Sequence, residues 1–296
     1  MGFSNYFANM KNQTIIVSEL NCYPVKSCRG IALATAEIGG LGIRYDRQWM
    51  VINENGVFVA QRGDSKSGAT GIRTMCLIEP VISQNHLIIT APGMPPLMLP
   101  LLGCNNGGIP VKIWDTICMG IDQGDEAAGW FTEYLAREVA GKYRLVRMPD
   151  EGNRTIAHSH EMLAFADSFP FLLTSEATRQ YLNQNMDETL PMNRFRPNIV
   201  MKGCDAFAEE KMDQFRINGI KFRGIKRDGR CAITTINQMT SVAGKEPLKT
   251  LGTLKEDGKY MFREGNQVYF GMYLTHTGTG KISVGNEIVI ELSKIL

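Results

Sequence analysis

The strongest constraint on this chain is a succession of short β-prone runs, each closed by a turn signal within a few residues. They include Ile15-Ile16-Val17, Trp49-Met50-Val51-Ile52, Val57-Phe58-Val59, Leu87-Ile88-Ile89 and Val111-Lys112-Ile113-Trp114. Turn signals such as Gly39-Gly40-Leu41-Gly42 and Glu54-Asn55-Gly56 separate them, and Asn55-Gly56 between two apolar runs predicts a hairpin. The proline-rich stretch from Pro92 to Pro100 suits an edge strand or a crossing loop, because proline cannot donate to a ladder. Strand-like text resumes at Asn198–Met201, Gln214–Ile217, Gly219–Phe222, Gln267–Leu274 and Glu287–Leu292.

Helical patterns are few. Ala127, Ala128, Trp130, Phe131, Tyr134, Leu135 and Val139 recur at helical spacing, with Asp125 as the expected cap and Gly141 as the stop. A shorter helix is expected from Ser175 to Leu182. The balance predicts a β-rich α+β chain of barrel-like architecture. The expected organisation is a loose lead-in over 1–13, a β-rich first domain over 14–120 and a mixed second domain over 121–296.

Composition narrows the function classes. Among 296 residues, 32 Lys and Arg face 30 Asp and Glu, a formal charge of +2. No global field recruits nucleic acid or an acidic membrane, so any anion site must be local. The cysteines at 22, 28, 76, 104, 118, 204 and 231 include no C-x-x-C pair, which removes zinc ribbons and thioredoxin-type sites. No secretory h-region and no apolar run of membrane-spanning length is present. The expectation is a monomeric, cytoplasmic protein with free thiols and no membrane anchor.

Cys231 stands beside Arg230, and a neighbouring guanidinium favours the thiolate, the form that attacks electrophiles or binds soft metals. The competing reading is a packed core cysteine. Three separate loops pair cations with small polar residues: Pro24-Val25-Lys26-Ser27-Cys28-Arg29-Gly30, Arg44-Tyr45-Asp46-Arg47 and Arg194-Phe195-Arg196-Pro197-Asn198. Such groups together suit a phosphate; each alone reads as a solvated surface. His158 and His160 read as rim or solvated loop residues.

These segments also resemble a known family. The chain is similar to MOSC-domain proteins with a MOSC N-terminal β-barrel domain, and within them to the amidoxime-reducing component family. The markers are Tyr23–Cys28, Gly42–Trp49, Asp167–Phe171, Asn193–Val200, Gly229–Thr235 and Lys245–Leu248. The resemblance implies a molybdenum–molybdopterin cofactor with Cys231 as the metal's protein ligand and catalytic residue. It implies that Lys26, Ser27, Arg47 and Arg196 grip the cofactor, with Asp167, Ser168, Phe169, Asn198, Gly229, Arg230 and Tyr273 as neighbouring contacts. The chain departs from many relatives at Asp228, where a second cysteine often stands, and at Asn237, where an acid is common.

The implied activity is two-electron reduction of small N-hydroxylated compounds: amidoximes, hydroxylamines or N-hydroxylated bases. Electrons would come from separate carriers, cytochrome b5-like, ferredoxin-like or flavin-reductase-like. The alternative is a carrier that transfers molybdenum cofactor or sulfur without reductive turnover. That reading draws on the family's sulfurase members, through which pyridoxal phosphate binding is also a family association; the missing pyridoxal-phosphate domain favours the reductase.

Overall fold

The computed structural model describes residues 14–101, 107–156 and 162–291; His158, His160, Cys104 and the lead-in over 1–13 lie outside them. The β-rich expectation holds. The largest sheet runs, neighbour to neighbour, through Ile31–Leu33, Ile16–Cys22, Ile199–Lys202, Phe171–Ser175, Gln267–Thr277, Ile220–Gly229, Gln214–Ile217 and Ile288–Ile290. Only the pairing of Phe171–Ser175 with Ile199–Lys202 is parallel along this path. The sheet then closes on itself: Ile16 bridges Glu287, and the Ile288 amide donates to the Ile15 carbonyl at 2.8 Å. Closure removes open edges that would otherwise template association.

Inside this barrel, inward-facing positions such as Leu20, Phe171, Ile199, Phe215, Phe222 and Leu274 form one apolar core. Phe215 and Phe222 stack with centroids 5.6 Å apart. Each such buried side chain contributes about 1.5–3 kcal/mol of transfer free energy.

The first β-rich unit pairs Gly108–Ile113, Thr116–Asp122, Tyr143–Arg147 and Trp49–Asn53 in a four-stranded antiparallel sheet. A three-stranded sheet of Glu79–Ile82, His86–Thr90 and Leu97–Pro100 lies in the same unit, with its two proline-bearing strands at the edges. The helix Asp125–Leu135 buries Ala127, Trp130, Phe131 and Leu135 in the core shared with Trp49, Ile72, Leu87 and Leu145.

Several local expectations change. The boundary placed between residues 120 and 121 falls inside the strand Thr116–Asp122, and the helix beyond it packs on the first β-rich unit. The opening strand Ile16–Cys22 instead belongs to the large sheet of the second unit. Gly124, not Asp125, occupies the helix cap, at φ 90°, a conformation glycine adopts without steric cost; Asp125 instead accepts from Arg144 at 2.9 Å. That helix ends at Leu135, before Gly141. The hairpin at Asn55-Gly56 shrinks to one bridge, Ile52 to Phe58, because Val57 bridges Lys112 and Val59–Ala60 pairs in parallel with Thr70–Gly71. The β-branched residues Ile233, Thr234 and Thr235 after Cys231 form no strand. Thr234 and Thr235 hydroxyls donate back to the Cys231 and Ala232 carbonyls at 2.9 and 2.8 Å, supporting a 3-10 turn over Ala232–Thr235.

Candidate functional site

Two loops from the chain's first fifty residues are laced together. The Lys26 amide donates to the Trp49 carbonyl at 2.8 Å, and the Trp49 amide to the Pro24 carbonyl at 3.0 Å. Lys26 and Ser27 are thereby set beside Arg47, at one side of a cavity of about 350 Å³ between the two units. The barrel supplies the other side through the loop 166–169, the turn 195–198, the strand end at Asp228–Gly229, and Tyr273. Lys26, Ser27, Arg47, Asp167, Ser168, Phe169, Arg196, Asn198, Gly229, Arg230, Cys231 and Tyr273 all line this one cavity. Arg29, Arg44 and Arg194 do not. Arg29 donates to Glu79 and to the Gln238 carbonyl, Arg44 to Glu37 at 3.0 Å, and Arg194 to the Thr234 carbonyl at 2.8 Å.

Five cationic side chains line the cavity (Lys26, Arg47, Arg62, Arg196, Arg230) against two carboxylates, Asp167 and Asp228. In a nearly neutral chain this is a local positive field that suits an anion. The cations are held in different ways. Lys26, nearly buried, donates to Asp167 at 2.5 Å and to the Phe165 carbonyl at 3.0 Å. Arg47 reaches Asp46 at 2.6 Å and Asn198 at 3.0 Å. The Arg47 and Arg196 guanidiniums lie 4.2 and 4.3 Å from the ring centre of Tyr23, cation–π contacts that hold both planes in place. Gly30 makes room for that ring: a Cβ there would fall 2.4 Å from Tyr23 Cε1.

Arg230 donates to Asp228 and, at 2.8 Å, to the Phe195 carbonyl. The cation expected beside Cys231 is therefore one half of an ion pair. Asn198 has its polar atoms committed to Arg47, the Leu172 amide and the Asn21 carbonyl. It acts on the cavity by holding Arg47.

Asp167 also accepts from the Trp114 indole at 2.9 Å. Desolvation favours its protonation, but Lys26, Trp114 and Arg47 outweigh that and bring its pKa down to about 2. Tyr273 moves the other way: burial, reinforced by Asp167, pushes its phenol up to about 12. Phe169 packs on Tyr273 with centroids 5.1 Å apart. One residue keeps its charge and the other its proton.

The backbone is also unusual here. Ser27, Arg47, Trp114 and Arg196 have φ of 67°, 47°, 53° and 58°. Each left-handed non-glycine residue costs on the order of 1 kcal/mol or more. Four of them around one cavity show that surrounding bonds fix the wall against local preference. Cys231 is partly exposed at that wall, whereas Cys22, Cys28, Cys76 and Cys118 are buried.

Sequence reasoning missed Arg62, Trp114, Ile233 and the role of Asp228 as the partner of Arg230. Trp114 reads as the end of a strand, yet stands just past Gly108–Ile113 at a left-handed turn. Arg62, in Gln61-Arg62-Gly63, carries no local signal at all.

A β-barrel unit that contributes a cavity-lining thiol, joined through a basic cavity to another β-rich unit, matches two family descriptions. Residues 14–138 match the MOSC N-terminal beta barrel domain and residues 160–289 the MOSC domain. Curated relatives span nearly the same length. Mitochondrial amidoxime reducing component 2 of Bos taurus is 33% identical over 290 residues, covering 92% of this chain and 82% of that protein. Its Rattus norvegicus counterpart is 32% identical with the same coverages. Component 1 of Xenopus laevis is 31% identical over 93% of this chain and 82% of its own length. The chain belongs to the amidoxime-reducing component family of MOSC proteins.

Proposed function

We propose that this chain is a molybdenum-cofactor-dependent reductase of small N-hydroxylated compounds that receives electrons from separate carrier proteins. The observation that carries the reading is one cavity in which a partly exposed thiol meets five cations and two carboxylates. The donor set fits an anionic pterin-bound metal. Among the described residues no three His, Cys, Asp or Glu side chains cluster around a metal position. Cys231 would thus be a lone protein ligand, with further sulfur donors coming from the pterin. The buried Nε atom of Arg230 lacks an acceptor, which an anionic guest can supply.

When bound, the molybdenum centre supplies the two electrons and the Lewis acidity for breaking the N–O bond. The chain's own residues would do the rest. Cys231 would hold the metal through its sulfur. Lys26, Ser27, Arg47 and Arg196 would hold the phosphate and pterin, the arginines already fixed on Tyr23. Phe169 and Tyr273 would wall the reacting end against bulk water, and the Tyr273 Oη keeps its proton at neutral pH as a hydrogen-bond donor. Asp167, ionised at neutral pH, would set the position of Lys26 and supply no proton.

The test is metal and pterin analysis of protein made in a molybdopterin-competent host, followed by benzamidoxime reduction with an artificial electron donor. Near-stoichiometric molybdenum with turnover is expected, and Cys231→Ala should remove the metal. Loaded protein without turnover would favour the carrier reading. Absence of both metal and pterin would overturn both.

A further inference from the structure

We infer that Arg62 is a specificity residue, the point where the cavity takes hold of a carboxylate or phosphate on an anionic substrate. The inference rests on the reductase reading of the same cavity.

The other cavity cations are committed to the protein. Lys26 is held by Asp167, Arg47 by Asp46 and Asn198, and Arg230 by Asp228 and the Phe195 carbonyl. Arg196 lies against the Tyr23 ring and reaches Gln238 at 3.4 Å. Arg62 differs. Among the described residues no carboxylate pairs with it and its guanidinium makes no hydrogen bond; its Nε is buried without an acceptor. Asp64, two residues on, accepts instead from the Ser67 amide at 2.8 Å. The contact its guanidinium does make is with the Trp114 ring, 5.7 Å from the centroid. Fixed cations suit a group that stays. An uncommitted one suits a ligand that comes and goes, because a donor left unpaired in a cavity wall is relieved by an incoming anion.

The mount of Arg62 is rigid although its tip is free. Gln61 is pinned to the Ser27 carbonyl at 2.7 Å and to Gln238 at 3.0 Å. On the other side Gly63 is pressed against Gly71, where an added Cβ would fall 2.2 Å from the Gly63 nitrogen. The backbone therefore delivers the guanidinium to one stretch of the wall, beside Trp114. A charged group there discriminates between a neutral N-hydroxylated compound and one bearing a carboxylate or phosphate, such as an N-hydroxylated base carried as its nucleotide.

The experiment compares benzamidoxime with 4-carboxybenzamidoxime on the molybdenum-loaded protein, as wild type, Arg62→Gln and Arg62→Lys. Binding is followed by calorimetry and turnover by KM and kcat, while molybdenum and pterin contents are measured in each preparation. The wild type should prefer the carboxylate, and the preference should weaken with salt. Arg62→Gln should reduce it about ten- to hundredfold, the size of one charge-assisted hydrogen bond, and Arg62→Lys should restore part of it. An unchanged preference in Arg62→Gln, or none in the wild type, would overturn the inference. So would a fall in molybdenum and pterin content with both compounds weakened alike, which would assign Arg62 to the cofactor. A charge preference in binding without turnover would support Arg62 as the anion contact while removing the reductase reading.

Discussion

Gln61 and Gln238, 177 residues apart, exchange two hydrogen bonds, at 3.0 Å and 2.9 Å, across the junction of the two units. Gln61 also donates to the Ser27 carbonyl and Gln238 to the Ile236 carbonyl. The pair is buried and ties a cavity-side loop of one unit to the segment that follows the 3-10 turn in the other. Replacing either glutamine by alanine strands its partner's amide, so each single variant should lose about 1–3 kcal/mol. The double variant should lose clearly less than the sum of the two, a coupling readable in urea unfolding midpoints.

Asp167 anchors Lys26, and its carboxylate ionises more readily in the fold than in the unfolded chain. A depressed carboxylate stabilises the fold above its unfolded pKa, and that contribution fades as pH falls from about 4 toward 2. Asp167→Asn should lower stability at pH 7 by about 1 kcal/mol, since it removes a charged acceptor from the buried Lys26 ammonium, an effect that water weakens because the Asp167 side chain is half exposed. The variant should also lack the wild type's extra loss of stability in that acid window, seen in fluorescence-monitored unfolding at stepped pH.

Glu210 behaves oppositely. Burial raises its carboxyl to about 7, against the opposing pull of Arg227 at 3.7 Å. A raised carboxyl contributes stability that is full below the unfolded pKa and lost as pH rises through the folded value, here between about 4.3 and 7. Glu210→Gln should flatten that part of the stability profile by roughly 1–3 kcal/mol. Thermal scans of both proteins from pH 5 to pH 8 would test this; parallel profiles would contradict it.

Thiol chemistry should single out Cys231. Among the described cysteines, Cys22, Cys28, Cys76 and Cys118 are buried, and the Cys204 thiol is pushed up to about 12 by burial and Glu209. Iodoacetamide on metal-free protein should alkylate Cys231 first among these six, as located by peptide mass spectrometry. Molybdenum loading should protect it.

Much of the cavity was legible because its residues lie in loops whose composition has few structural explanations: lysine, arginine and serine beside glycine and proline. The β-rich character was legible from turn spacing. What escaped was set by backbone conformation, by side chains bonding back to the backbone and by one distant contact. Nothing near Gly124 predicts the φ that takes the cap from Asp125. The Thr-Thr pair after Cys231 has β propensity, but hydroxyl back-bonding turned it into a 3-10 turn. Arg62 became part of the wall only through the Gln61–Gln238 pairing and the approach of Gly63 to Gly71. A side chain ordered by a residue 177 positions away, as Gln61 is by Gln238, leaves no local trace.

The barrel draws its second strand, Ile16–Cys22, from the start of the chain and its last, Ile288–Ile290, from near the end, with the other unit inserted between. Neither half of the polypeptide can complete that cylinder alone during synthesis. The cavity likewise gathers residues from Lys26 to Tyr273, so its walls can meet around an anion only after nearly the whole chain has been made.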